Sequence, residues 1–248
     1  MAMRVVKECL AVTLIVLASV CVLGDEARGQ EPIDPCLPDT PGTIFGTDGD
    51  DEIEGTLGAD VICGLGGDDT IFGHAGNDEI YGGPGNDTLF GQIGDDFLQG
   101  GGKADLVSGG TGDDTLVGGA GGDVIFGDDG DDIARGRNGA DIIEGATGDD
   151  RLSGGRGDDI IVGEEDDDTL RGYRGDDDLR AGSGSNRVFG GPGGDVIDTA
   201  NGTADTVRGG PEGPGGDDCA RVDPDTDKVT GVESVLDSSE TCPTQNGG

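Results

Sequence analysis

The nonapeptides GGPGNDTLF (residues 82–90) and GGTGDDTLV (residues 109–117) show the unit that decides the fold of this chain. Units of this pattern follow one another without a break from residue 46 to residue 198, which makes 17 units of nine residues. Positions 1 and 4 of the unit are almost always Gly, and position 8 is aliphatic in every unit. A short repeat kept in register over most of a chain predicts a solenoid.

Each unit combines one tight turn with one short strand. Glycines three residues apart let the backbone adopt positive φ in the turn. One large aliphatic side chain per unit gives the strand a single inward residue. A unit alone cannot bury that side chain, so successive coils of two units each must stack about 4.8 Å apart.

Position 6 carries a carboxylate in every unit but one, which has Asn186. Stacking would place the carboxylates of alternate units above one another, where they repel by roughly 3 kcal/mol at an effective dielectric of about 20. Carboxylates and turn carbonyls suit Ca²⁺ better than Mg²⁺. We therefore predict calcium ions between the coils, at most 15 of them, which would change the formal charge from -38 to about -8. The predicted ligands are Asp51, Asp60, Asp69, Asp78, Asp87, Asp96, Asp105, Asp114, Asp123, Asp132, Asp141, Asp150, Asp159, Asp168, Asp177 and Asp195.

The pattern resembles the repeats-in-toxin (RTX), or hemolysin-type, calcium-binding nonapeptide, and the resemblance covers 153 of 248 residues. It implies an all-β fold: a right-handed parallel β-roll, or β-solenoid, of about 17 half-coils with irregular N- and C-terminal caps. In that family, positions 1 to 6 form the turn and positions 7 to 9 form the strand. Many relatives leave the cell through a C-terminal export signal, whereas this chain begins differently.

Residues 1–29 are predicted to be a secretory signal peptide. Arg4 and Lys7 precede an apolar run of 15 residues, which is short for a membrane span. A lipid anchor at Cys21 and an uncleaved anchor are the alternatives. We therefore expect a secreted, extracellular bacterial protein.

Three further segments complete the predicted organisation. Residues 30–45 should cap the first coil, with residues 43–45 as an entering strand. Residues 46–198 should form the calcium-binding roll. Residues 199–248 should contain a degenerate repeat, a few capping strands and a tail.

Four cysteines follow the predicted signal peptide: Cys36, Cys63, Cys219 and Cys242. In a secreted chain they allow three disulfide pairings. Local pairing, Cys36 with Cys63 and Cys219 with Cys242, is the simplest.

Departures from the pattern predict unequal sites. Lys103 at position 4 should weaken or empty the site beside Asp105, because Lys adopts positive φ less easily than Gly. Asp166 at position 4 should tighten its site or reshape the turn. Asn186 should weaken the site that it shares with Asp168.

The composition argues against catalysis. The only histidine is His74, at position 2 of a repeat turn. The chain therefore has no second histidine on which a His-Glu-x-x-His zinc site, a catalytic triad or a Cys–His pair could be built. We predict that the chain is not an enzyme. Position 9 carries Phe72, Tyr81, Phe90, Phe126 and Phe189, explained by strand propensity or, alternatively, by a surface-contact stripe.

The predicted function is that of a secreted calcium-binding β-roll whose folding is driven by Ca²⁺. One alternative is an adhesion or matrix protein that presents the roll to extracellular polysaccharide or a cell surface. The other is an accessory module of a separately encoded hydrolase. The net charge of -38 predicts no nucleic-acid partner and no membrane insertion, and we expect a monomer.

Overall fold

The computed structural model describes residues 36, 42–201, 203–210, 218–223, 226–232, 234–237 and 242. The chain divides into two units, Met1–Leu37 and Pro38–Gly248. Cys36 is the one described residue of the first unit, so the predicted signal peptide and most of the predicted N-terminal cap lie outside the described residues. The fold described below is that of the second unit.

The described part of the second unit consists of β-strands joined by turns, and no helix that could cross a membrane occurs in it. The strands are β1 (Thr43–Phe45), β2 (Glu52–Glu54), β3 (Val61–Cys63), β4 (Thr70–Ala75), β5 (Glu79–Pro84), β6 (Thr88–Ile93), β7 (Phe97–Gly102), β8 (Leu106–Thr111), β9 (Thr115–Ala120), β10 (Val124–Asp129), β11 (Ile133–Asn138), β12 (Ile142–Thr147), β13 (Arg151–Arg156), β14 (Ile160–Glu164), β15 (Thr169–Arg174), β16 (Asp178–Arg180), β17 (Arg187–Phe189), β18 (Val196–Asp198), β19 (Thr206–Arg208), β20 (Cys219–Val222), β21 (Lys228–Thr230) and β22 (Ser234–Asp237).

The strands form two parallel sheets of 11 strands each. Odd-numbered strands make one sheet and even-numbered strands make the other, and we call these the odd-strand sheet and the even-strand sheet. Within the repeats, each residue pairs with the residue 18 positions later, as Ile71 does with Leu89 and Ile125 with Ile143. Two nonapeptides therefore make one coil, which confirms the predicted parallel β-roll.

The core is a ladder of the position 8 side chains between the two sheets. All of them are fully buried except Ile53, which is 8% exposed at the N-terminal end. Ala134 is the one small residue in the ladder. The single inward residue per unit thus becomes a continuous core only after stacking, because no coil contains enough apolar surface by itself.

The strands are longer than the predicted three residues in the middle of the roll. Strands β4 to β13 and β15 have six residues each and β14 has five, because positions 1 to 3 of the next unit continue the pairing. His74 and Gln92, both at position 2, have φ values of 79° and 80° and still lie opposite one another. The left-handed backbone conformation at position 2 therefore does not end the strand.

The roll also extends further than the 17 predicted half-coils. The predicted strand at Thr43–Phe45 is β1, and β19 to β22 continue the two sheets after the last regular unit. Their offset from the preceding coil changes from 18 residues to 19, 23, 22 and 15. Insertions are accommodated outside the strands, so the sheets continue where the repeat is no longer visible in the sequence.

Disulfide bonding agrees with the predicted oxidising environment. Cys219 at the start of β20 is bonded to Cys242, with Cα atoms 5.9 Å apart, which confirms that pairing. Cys36 and Cys63 are each disulfide-bonded as well.

Candidate metal centre

The position 6 aspartates form two rows, one along each line of stacked turns. In each row, the backbone N–H of one Asp donates a hydrogen bond to Oδ1 of the Asp one coil later, as from Asp114 to Asp132 (2.7 Å) and from Asp123 to Asp141 (2.8 Å). This contact recurs from Asp51 to Asp195 at 2.7–3.1 Å. One carboxylate oxygen of each Asp therefore holds the adjacent coil in place, and only Oδ2 is left for a ligand.

The second oxygen, Oδ2, is buried and accepts no hydrogen bond in 14 of these aspartates. They are Asp69, Asp78, Asp87, Asp96, Asp105, Asp114, Asp123, Asp132, Asp141, Asp150, Asp159, Asp168, Asp177 and Asp195. Native proteins pair nearly all of their buried polar atoms. Fourteen buried carboxylate oxygens without a hydrogen-bond donor therefore favour a cation as their partner.

The first two position 6 aspartates differ from these 14. Oδ2 of Asp51 accepts hydrogen bonds from the backbone N–H and the hydroxyl of Thr47, at 2.6 and 2.8 Å. Thr56 makes the same two contacts with Asp60. In these two turns the second carboxylate oxygen therefore has a protein donor. Sequence analysis did not predict this cap, although position 2 is Thr in the first two units only.

The C-terminal end of the rows is also closed by protein donors. The Asn186 side-chain amide donates to the carbonyls of Ser183 and Gly184, at 3.3 and 3.4 Å. Asp205 continues one row, and its Oδ2 accepts from the Asn201 amide at 3.1 Å. The row that contains Asp205 ends with Asp227, and the other row ends with Asp218. Oδ2 of each of these two aspartates accepts a hydrogen bond from a backbone N–H group. Asp218 and Asp227 do not stand out in the sequence, because insertions shift their spacing from the repeat.

Glycine at position 1 is explained by the bare oxygen. A Cβ on Gly127 would lie 2.3 Å from Oδ2 of Asp132, and the other position 1 glycines of the central units give similarly close distances. Ala181 is the one departure at position 1, and its unit is also the one that has Asn186 in place of Asp. Loss of the glycine and loss of the carboxylate therefore occur together.

The donor set fits a hard divalent cation such as Ca²⁺. Among the described residues, no group of three or more His, Cys, Asp or Glu side chains is arranged to hold a metal. An ion between two turns would therefore need backbone carbonyls in addition to Oδ2. Carboxylates plus carbonyls are the ligands that Ca²⁺ prefers, and its flexible coordination suits a site repeated along a twisted stack.

Burial raises the pKa values of the position 6 carboxyl groups. Desolvation raises the pKa of Asp114 and Asp168 to about 8 and that of Asp105 and Asp132 to about 7, opposed in part by the hydrogen bond to Oδ1. The neighbouring carboxylates of the row raise these pKa values further. Without a cation, the folded roll therefore favours protonated aspartates.

We predict that acid partly replaces calcium. A carboxyl whose pKa is higher in the folded state than the unfolded value of about 3.8 destabilises the fold as pH rises from about 4 to about 8. Far-UV circular dichroism of the protein freed of metal on a chelating resin should show more β-structure at pH 5 than at pH 8. In calcium, protons and ions compete, so the calcium affinity should be lower at pH 5. A metal-free chain that is least structured at pH 5 would contradict this.

The other predicted exceptions have mixed outcomes. Lys103 does adopt positive φ (76°), and its ammonium approaches Asp68 at 3.4 Å rather than Asp105. Oδ2 of Asp105 is bare like its neighbours, so a weak site there stays a prediction. Asp166 has φ 74°, and a tighter site beside it is likewise untested. His74 lies on the outer surface and contacts Glu54 and Gln92.

The fold and the carboxylate rows together define a calcium-binding β-roll. The chain matches the RTX calcium-binding nonapeptide repeat (4 copies) over residues 42–71, 64–98, 99–134, 135–170 and 171–203. It belongs to this family. A comparison with curated proteins finds no match.

Proposed function

We propose that this is a secreted protein whose biochemical activity is calcium binding coupled to folding of the roll. The observation that carries the proposal is the set of 14 buried Oδ2 atoms without a donor. They lie in two rows, and both rows end at carboxylates that have threonine, asparagine or backbone donors. The ends of the rows support the proposal because the carboxylates there have protein donors, whereas those between them would need an ion.

The coupling follows from the composition of the chain. Low aromatic content (3%) and a net charge of -38 disfavour collapse of the metal-free chain. Binding energy then becomes folding energy. Extracellular calcium modules bind with dissociation constants of about 10⁻⁴ to 10⁻³ M. Secretion is supported by the predicted signal peptide and by the disulfides.

We also propose that the chain has no catalytic activity of its own. Its single histidine is at the surface and contacts Glu54 and Gln92. The role proposed for the roll needs no nucleophile and no general base. Hydrolysis of any substrate by the purified chain would contradict this proposal.

Counting bound ions by equilibrium dialysis tests the site assignment. We expect no more than 14 tightly bound Ca²⁺ per chain, one for each bare oxygen. Asp132→Asn should lose at least one ion, because an amide replaces Oδ2. Asp131→Asn is the matched control, because Asp131 is the exposed neighbour and should keep the full number. Equal counts for the two variants, or many more than 14 ions, would place calcium elsewhere.

A further inference from the structure

The positive charge of the protein is concentrated on one surface. Strands β11, β13, β15, β17, β19 and β21, all of whose residues are described, contain nine of the 15 Lys and Arg residues of the chain and no Asp or Glu. Strands β12, β14, β16, β18, β20 and β22 of the other sheet contain five acidic residues and two arginines. In a chain with a net charge of -38, the odd-strand sheet from β11 to β21 thus has basic but no acidic strand residues.

Each of these six odd strands has one basic residue next to its buried core residue, before or after it in alternate strands; β11, β13 and β15 have a second one further along. The first column contains Arg135, Arg171 and Arg208. The second column contains Arg151, Arg187 and Lys228. We call these six residues the basic face. Neighbours within a column are two coils, about 9.6 Å, apart, so one positive charge recurs about every 4.8 Å along the face.

The basic face is available to a ligand. Five of its residues are exposed and Arg171 is half-buried. Among the described residues, no carboxylate forms an ion pair with any of the six, whereas Arg180 and Arg221 of the even-strand sheet pair with Asp178 and Asp198. Like charges in adjacent strands repel. A ladder of unpaired cations is therefore explained best by an anionic partner.

Aromatic side chains lie among the cations. The Arg171 guanidinium is 5.2 Å from the centre of the Phe189 ring, and Tyr173 is 51% exposed on the same strand as Arg171. A groove of 510 Å³ beside Phe189 is lined by Arg208, Lys228 and two threonines, Thr206 and Thr230. Rings and hydroxyls beside positive charges suit a ligand that has both apolar faces and charged groups.

We propose that the basic face binds a linear acidic polysaccharide whose carboxylate or sulfate groups lie along the stacking axis of the strands. One charge per strand, about 4.8 Å apart, suits a polymer with about one anionic group per sugar. Duplex DNA has one charge per about 1.7 Å, which is far denser than the charges of the basic face. The net charge predicted the exclusion of nucleic acid, but it hides this local surface.

The proposal requires the folded roll and therefore rests on the proposed function. It also gives a reason for the alternative predicted from the sequence, an extracellular matrix protein. In that role the roll would be a rigid support that holds cations at fixed spacing, because the position of each strand is set by the coil beneath it.

Binding of dextran sulfate to the full secreted chain in calcium tests the proposal, with uncharged dextran of the same length as the control polymer. Circular dichroism recorded first shows whether the roll is folded, so a failure of folding is distinguished from a failure of binding. Arg151→Gln combined with Arg187→Gln removes two charges from the basic face. Arg180→Gln combined with Arg221→Gln removes two charges from the even-strand sheet and is the matched control.

We expect salt-dependent binding of dextran sulfate and none of dextran. The face variant should bind about ten-fold more weakly, as for the loss of two exposed ionic contacts, and the control variant should bind like the original chain. Absence of binding by the folded chain, equal weakening in both variants, or tighter binding of a single-stranded oligonucleotide would overturn the proposal. A chain that is not folded in calcium would overturn it together with the proposed function.

Discussion

Removal of calcium at pH 7.5 is expected to abolish the β-sheet signal of the protein almost completely. The reason is the number of bare carboxylate oxygens in the roll, 14. Leaving a buried polar group unpaired costs about 1–3 kcal/mol. Even the lower value, summed over 14 sites, is about as large as the whole net stability of a typical domain, about 5–15 kcal/mol. The metal-free roll should therefore not be populated.

The measurement is far-UV circular dichroism of residues 30–248, starting in EDTA and titrated with Ca²⁺ or, separately, with Mg²⁺. Calcium should produce a cooperative rise in β-structure. Magnesium should not, because it demands a nearly ideal octahedron. Disulfides are kept intact in both titrations, so that the Cys219–Cys242 bond is the same in both. A full β spectrum in EDTA would mean that the aliphatic ladder suffices, and would contradict calcium-driven folding.

Gly127→Ala is expected to destabilise the calcium-loaded roll by about 1–3 kcal/mol, the usual effect of forcing extra atoms into a packed site. The added Cβ would lie 2.3 Å from Oδ2 of Asp132 and 2.6 Å from the carbonyl of Gly145. Oδ2 of Asp132 is the oxygen to which the predicted ion would bind. The substitution should therefore lower the midpoint of thermal unfolding in calcium and remove at least one bound ion.

Two further variants make this result specific. Gly102→Ala is the control, because a Cβ there has no neighbour within 4 Å. Gly127→Ala combined with Asp132→Asn copies the natural pair Ala181 and Asn186, and should recover part of the stability while one ion stays lost. If the Gly127→Ala variant were as stable as the Gly102→Ala variant, this would contradict the explanation that glycine at position 1 leaves room for the position 6 carboxylate.

The features of the fold that repeat with every nonapeptide could be predicted from the sequence, because each depends only on the unit and on its regular spacing. A constant period of nine residues fixed the parallel roll and the aliphatic ladder, and placed Asp69 and its equivalents in rows. The same argument failed beyond residue 198. There the offsets of 19, 23, 22 and 15 residues depend on contacts between coils, which a repeat count does not contain.

The site was predicted less completely than the fold. The sequence identified Asp51 and Asp132 alike as ligands, since they share position 6. The structure separates them, because Thr47 donates to one and nothing among the described residues donates to Oδ2 of the other. Whether a carboxylate is satisfied depends on the donors that surround it in space, and position in a repeat does not specify those donors.

By itself, the sequence determined the coil, its core and the class of ion that would suit its turns, because these repeat with the period of the chain. Only the tertiary structure decided which oxygens are bare, how the rows end and which surface is basic. Arg151 and Arg187 are 36 residues apart in the sequence, yet only two coils separate them on the odd-strand sheet. Lys228 joins them because the sheet keeps its pairing across insertions. The constant coil of 18 residues brings Arg151 and Arg187 together, whereas only the hydrogen bonding between coils adds Lys228 to them.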